Sequence, residues 1–157
     1  MTDEQKMVLE FHRKFALTVA KSPSLPSEKD YHLRIELIHE EERELYHADT
    51  LVAVADALAD LLYVVNGTAV TFGIDLQPIV IEVHRSNMSK LWTHAERATY
   101  GKGDLTFTHM GSSLESMEIR LRGRHWLAKN DAGKVVKSPS YSPADIAKEL
   151  RLQGYAE

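Results

Sequence analysis

Residues 51–72 read LVAVADALADLLYVVNGTAVTF, the most apolar stretch of the chain, and aspartates at 56 and 60 interrupt it. Leu51, Ala55, Leu58, Leu62, Val65 and Ala69 recur at helical spacing and predict one helix with a single apolar face. Asp49 or Thr50 is placed to cap it and Gly73 to end it. Asp56 and Asp60 are four residues apart, so they stack one turn apart on that helix. Buried carboxylates are costly unless something answers their charge. Whatever fold this chain adopts must put its most apolar helix in a core and still give two aspartates a partner. Gly67, in mid-helix, costs about 1 kcal/mol relative to alanine and predicts close packing against a neighbour.

The preceding segment repeats the anomaly. A helix is expected from a Ser27 cap to about His47, with Leu33, Leu37, Ile38, Leu45 and Ala48 as its buried stripe. Glu40, Glu41 and Glu44 flank or continue that stripe, because residues three, four and seven apart share a helix face. Glu42 and Arg43 point elsewhere. Two consecutive helices thus carry acids about one turn apart, and a bundle can bring them together.

Two more helices complete the pattern. The first runs from Asp3 to Val19 with Met7, Phe11, Phe15 and Leu17 as a partial stripe, followed by a Pro/Ser-rich loop over Lys21–Ser27. The fourth opens at Leu76-Gln77-Pro78, where proline is tolerated, and runs to about Trp92. Four helices on short connectors predict an all-α four-helix bundle. Beyond Trp92 no period dominates until Arg124–Lys137, which reads as a β-hairpin turning at Asn130–Gly133. Pro143 starts a last short helix to Leu152. The expected organisation is a single domain over 1–157, with a C-terminal extension containing that hairpin.

Composition narrows the chemistry. The chain has 157 residues and a 43% hydrophobic fraction, enough for one core. It has no cysteine, so disulfides and thiolate metal sites are excluded. The charged N-terminus does not read as a signal peptide, and no stretch reads as a membrane span, so a cytoplasmic protein with no membrane partner is expected. Net charge is −4, which argues against nucleic acid as the main partner. The charge is unevenly spread. Ser27–Asp60 holds ten acids against three bases, and Ile119–Lys137 holds six bases and one acid.

Clustered carboxylates suit an oxygen-loving divalent cation, Mg²⁺ or Mn²⁺. The bland alternative is a solvated face paired with Arg34, Arg43 or Arg85, and spacing alone does not decide between them. Glu36-x-x-His39 and Glu44-x-x-His47 also spell the motif of di-iron bundles, but both lie on one helix, where that chemistry needs two. On the fourth helix, Val83, Asn87 and Lys90 share a face. An amide there can orient a ligand and a lysine can meet phosphate as a point charge.

These residues carry a resemblance. Glu40-Glu41-Glu42-Arg43-Glu44, then DALADLLYVVNGTAVTFGIDL (Asp56–Leu76), then EVHRSNMSKL are similar to the MazG-like and phosphoribosyl-ATP pyrophosphohydrolase superfamily of all-α nucleoside triphosphate pyrophosphohydrolases, which also holds the dimeric dUTPases. FHRKF near the N-terminus and GKVVKSPSYSPADI near the C-terminus belong to the same likeness, which covers most of 7–92 and 126–147. The superfamily motif is Glu-Glu-x-x-Glu followed by Glu-x-x-Asp. The first part is complete here. The second would place an acid at 57, where this chain has Ala57, with Asp56 one position away. Residues 93–123 look like an insertion, and 124–157 form a basic tail.

The resemblance implies Mg²⁺-dependent hydrolysis of a (deoxy)nucleoside triphosphate to the monophosphate and pyrophosphate. It implies metal ligation by Glu40, Glu41, Glu44, Asp56 and Asp60, with Glu41 as the base that takes a proton from water. Asn87 and Lys90 would position phosphate, and Lys137 and Tyr141 would close on phosphate or base. A homodimer or homotetramer with sites lined by more than one chain is implied too. The competing expectations are a helical module that binds nucleotide or protein without turnover, and, least favoured, nucleic-acid binding through the basic tail.

Overall fold

A computed structural model describes residues 1–100, 118–122, 125–130 and 132–156. It is an all-α bundle with a small C-terminal extension. In chain order come α1 (Asp3–Lys14), α2 (Glu28–His47), α3 (Leu51–Phe72), α4 (Leu76–Met88), α5 (His94–Tyr100), β1 (Glu118–Arg122), β2 (His125–Lys129) and α6 (Ile146–Leu152). The contacts divide into two compact units, Met1–Val80 with Asp145–Glu157, and Ile81–Ala144.

The first unit is built on α3, which packs against both α2 and α1. Local chemistry sets its helix ends. Ser27 Oγ accepts from the Asp30 amide and Thr50 Oγ1 from the Ala53 amide, each answering an orphan N–H of the first turn. Gly73, at φ 70°, ends α3 in the left-handed region. An added Cβ there would strike the Ser22 carbonyl oxygen, so glycine also permits the close passage of the 20–22 loop. Asp75 Oδ1 accepts from the Gln77 amide and starts α4.

The first helix stops at Lys14, five residues before the expected Val19. Ala16 turns to φ 53°, and the Leu17 amide folds back to the His12 carbonyl at 2.8 Å. The Met7/Phe11/Phe15 stripe lies outward, with Phe15 64% exposed, while Gln5, Val8 and His12 are buried. On α3 the buried set is Ala57, Val64, Asn66, Gly67, Ala69, Val70 and Thr71, and Leu51, Leu58, Leu62 and Val65 are exposed. On α2 the one fully buried side chain is Arg34, and Leu33 is exposed. The expected apolar stripes are therefore only partly turned inward: Ala69 is buried and Leu37, Ile38 and Leu45 are half-buried, but Leu33, Leu51, Leu58, Leu62 and Val65 face outward. α1 to α3 meet through small residues and a few polar ones, and the large apolar side chains remain on the outside. α3 also has the length and apolar composition of a membrane span, contrary to the sequence expectation. Its two aspartates and its packing against α1 and α2 make it the central helix of a bundle.

In the second unit, α4 ends at Met88 rather than near Trp92, whose backbone instead bridges to Trp126. The hairpin expectation is half met. The Gly133 amide donates to the Asn130 carbonyl at 2.8 Å, with Asp131 outside the described residues, and the flanking Lys129 and Val135 form an isolated bridge rather than a strand pair. The regular antiparallel partner of β2 is β1, from Glu118↔Lys129 to Arg122↔His125. Most of the expected insertion over 93–123, namely 101–117 and 123, lies outside the described residues. Asp145 caps α6 through the Lys148 amide, so that helix begins just after the expected Pro143.

Candidate active site

Two relationships fix how α2 and α3 are paired. Arg34 Nη2 donates to the Val64 carbonyl at 2.7 Å and its Nε to Thr68 Oγ1 at 3.3 Å. Further along, Glu41 feels the charges of Asp60 and Asp56. Early α2 thus meets late α3 and the reverse, an antiparallel pair closed by the short 48–50 connector. The expectation that Gly67 marks a close approach holds. A Cβ there would collide with the Arg34 guanidinium and come within 3.1 Å of His12 Nε2. His12 is 3% exposed, with Nδ1 2.9 Å from the Thr18 carbonyl, so Nδ1 carries the proton and donates. Burial depresses the His12 pKa, and nearby Arg34 lowers it further against the hydrogen bond to Thr18. Arg34, with its charge met by a carbonyl and a hydroxyl, holds the two helices in register.

That register brings together the five carboxylates singled out from sequence. Partial burial, and then the charges of Glu44, Asp60, Glu40 and Asp56 in that order, push Glu41 above the usual carboxylate range. Glu41 is half-buried and the other four are exposed. No arginine or lysine pairs with any of the five among the described residues, so the solvated ion-pair alternative does not account for them. Asp60 acts on Glu41 more strongly than Asp56 does. Ala57, between them, is 3% exposed, so an acid at that position would have stood in the interior. Among the described residues, no three Asp, Glu or His side chains stand close enough together to grip a metal ion as they are. The donor chemistry nonetheless fits one. All five groups supply anionic oxygen, and no cation among the described residues answers their mutual repulsion.

The other candidates lie in the second unit. Asn87 is exposed on α4, and its Oδ1 accepts from Lys90 Nζ at 2.6 Å. Lys137 Nζ stands 4.3 Å from the centre of the Tyr141 ring, a cation–π pair. The Tyr141 hydroxyl accepts from buried Ser86 at 3.2 Å. These side chains form two pairs, Asn87 with Lys90 and Lys137 with Tyr141.

Sequence reasoning missed the serine ladder behind them. Ser138, 1% exposed, donates to the Ser89 carbonyl, and Ser89 Oγ accepts from the Ser142 amide. Glu96 accepts from the Ser140 amide at 3.0 Å and from the Thr93 amide at 2.7 Å. Burial works against the charged form of Glu96, but these hydrogen bonds outweigh it and hold its carboxyl below the usual value. The tail over 138–142 is thereby strapped to α4 and α5. One signal was readable. Thr93-His94-Ala95-Glu96 is a capping box, with the Glu96 amide donating to Thr93 Oγ1.

Comparison with known families gives one match. A family model described as phosphoribosyl-ATP pyrophosphohydrolase covers residues 8–87, which takes in α2, α3 and all five carboxylates. No curated protein matches the chain.

Proposed function

Because this chain belongs to the phosphoribosyl-ATP pyrophosphohydrolase family, whose members cleave a nucleotide phosphoanhydride, we propose that it is a Mg²⁺-dependent pyrophosphohydrolase converting a (deoxy)nucleoside triphosphate to the monophosphate and pyrophosphate. What supports the reading is the antiparallel α2–α3 pairing, which sets Glu40, Glu41 and Glu44 on one helix within electrostatic reach of Asp56 and Asp60 on the other. Such a cluster is a poor surface and a good cation seat.

In this reading Glu40, Glu44 and Asp60 hold the cation, with Asp56 the weaker candidate because its charge acts least on Glu41. Bound Mg²⁺ would offset phosphate charge and make water easier to deprotonate. Glu41 takes the proton as the water oxygen bonds to phosphorus and the phosphoanhydride P–O bond breaks, releasing pyrophosphate. Within the second unit, Lys90 carries a point charge suited to phosphate and holds the Asn87 amide, and Lys137 sets a cation beside the Tyr141 ring.

The exposed Met7, Phe11, Phe15, Leu58 and Leu62 support a second copy of the chain as partner, giving a homodimer or homotetramer. Large apolar side chains collected on one bundle's exterior are what a helical oligomer buries. Ala57 favours a second reading, a module that binds nucleotide without turnover, since it removes one interior carboxylate.

A panel of nucleoside and deoxynucleoside triphosphates, with phosphoribosyl-ATP added, separates these readings when monophosphate and pyrophosphate are scored with and without Mg²⁺. Metal-dependent pyrophosphate release is expected from one or a few compounds. Tight binding with no release across the panel would replace the enzyme by the module.

A further inference from the structure

A cavity lies in the first unit, and none of the five carboxylates lines it. It encloses about 520 Å³ between α1, the 19–21 loop, the end of α3 and Gln153, a volume in the range of small-molecule sites. Its floor is apolar: Leu9, Val19, Ala20, Ala69, Val70 and Ile74.

The walls are fixed by two amides with both ends engaged. Gln5, 1% exposed, donates to the Ile74 carbonyl at 2.6 Å and accepts from the Leu76 amide at 3.2 Å. Gln153 accepts from the Asp75 amide at 2.7 Å and donates to the Asp75 carbonyl at 3.1 Å. Both clamp the 74–76 turn, so the cavity is preformed. Its polar lining is otherwise satisfied. Asp75 is held by the Met1 ammonium at 2.7 Å, and the Val70 carbonyl accepts from the Ala20 and Gly73 amides. Two lining groups stand apart from this pattern. Arg13 and Lys21 are exposed at the cavity and neither pairs with an acid among the described residues.

We propose that this cavity binds a small amphipathic anion, with a flat apolar body over Leu9, Val70 and Ile74 and a phosphate or carboxylate head between Arg13 and Lys21. The orientation follows from charge. The cavity floor holds the C-terminal end of α3, whose dipole is negative and repels an anion, whereas the two cations sit at the solvent side. The body therefore enters first. This inference is independent of the pyrophosphohydrolase reading, since none of the five carboxylates lines the cavity.

The test uses three probes with one shared ring system, 1-naphthyl phosphate, 1-naphthoate and neutral 1-naphthalenemethanol, titrated into the full chain and read by amide chemical shift. At least one anion should shift Leu9, Val70 and Ile74 saturably and bind about ten-fold or more tighter than the alcohol, a difference ordinary for a head held by two cations. R13Q/K21Q, altered only at exposed side chains, should lose that advantage and keep its affinity for the alcohol. The tighter of the two anions identifies the head group. E41Q should bind like the unmodified protein, whether or not the chain hydrolyses nucleotides. Absence of saturable shifts at these amides with both anions overturns the proposal, and so does anion affinity unchanged in R13Q/K21Q.

Discussion

Arg34 Nη2 lies 2.7 Å from the Val64 carbonyl oxygen, and this buried bond joins α2 to α3 seven residues before Glu41. The guanidinium occupies space that only a glycine at 67 leaves open. G67A therefore sets two effects against each other. Alanine gains about 1 kcal/mol of helix propensity, but displacing Arg34 forfeits a charge-assisted hydrogen bond worth about 1.5–3 kcal/mol. The displacement should win, leaving the variant about 0.5–2 kcal/mol less stable. In an R34M background, where a thioether can flex away, most of that loss should vanish. Urea denaturation of the four proteins gives the coupling directly. Additive effects would mean the contact is not the cause.

His12 should make stability depend on pH in a defined window. Its folded-state pKa is depressed by burial and by Arg34, so the unfolded chain takes the proton first as pH falls. Its stabilising contribution is full above the unfolded pKa of about 6.5 and is lost as pH falls toward the folded value. The urea midpoint of the unmodified protein should drop between about pH 7.5 and 5.5, and H12Q should flatten that drop. An equal drop in H12Q would place the sensitivity elsewhere.

Glu41 has the opposite sign. Its folded pKa is raised by burial and by four neighbouring carboxylates, so the folded state binds the proton more tightly than the unfolded one. The group favours folding at low pH and opposes it once pH has risen through the raised value. E41Q should be more stable than the parent at neutral pH, by less than about 1 kcal/mol because the cluster is open to solvent, and no more stable in acid. Thermal melts at both pH values check this. In the proposed reaction E41Q should also lose at least about 100-fold in kcat, the ordinary worth of a general base.

These two sites were not equally legible in the sequence. The acid pattern on 40, 41, 44, 56 and 60 was visible because helical periodicity places those residues without knowing what the helices face. Which stripe faced inward was not visible, because periodicity finds an apolar face and does not say whose interior it fills. Leu58 and Leu62 satisfy the pattern and are exposed, while Arg34 and His12 break it and are buried. Gly67 was the available clue to that seam, since a mid-helix glycine needs a neighbour to justify it. The 138–142 strap escaped notice because serine side-chain bonds to backbone leave no period, although Thr93-x-x-Glu96 marked the start of α5.

Ala57 offers the most direct test of the cation seat. Its side chain is buried between Asp56 and Asp60, so A57E would add an interior carboxylate beside an already repelling set. Without metal the variant should lose stability, by about 1–3 kcal/mol for an unanswered buried acid. Mg²⁺ should reverse the loss, and at one hundred times its dissociation constant a ligand adds about 2.7 kcal/mol. The unmodified protein should also melt higher with Mg²⁺, and E40Q/E44Q should not. Calorimetric melts across a Mg²⁺ series, with Ca²⁺ and K⁺ as controls, give the outcome. If neither the unmodified protein nor A57E melts higher with Mg²⁺ than without it, the five carboxylates do not form a divalent site, and the module reading gains the ground that the enzyme loses.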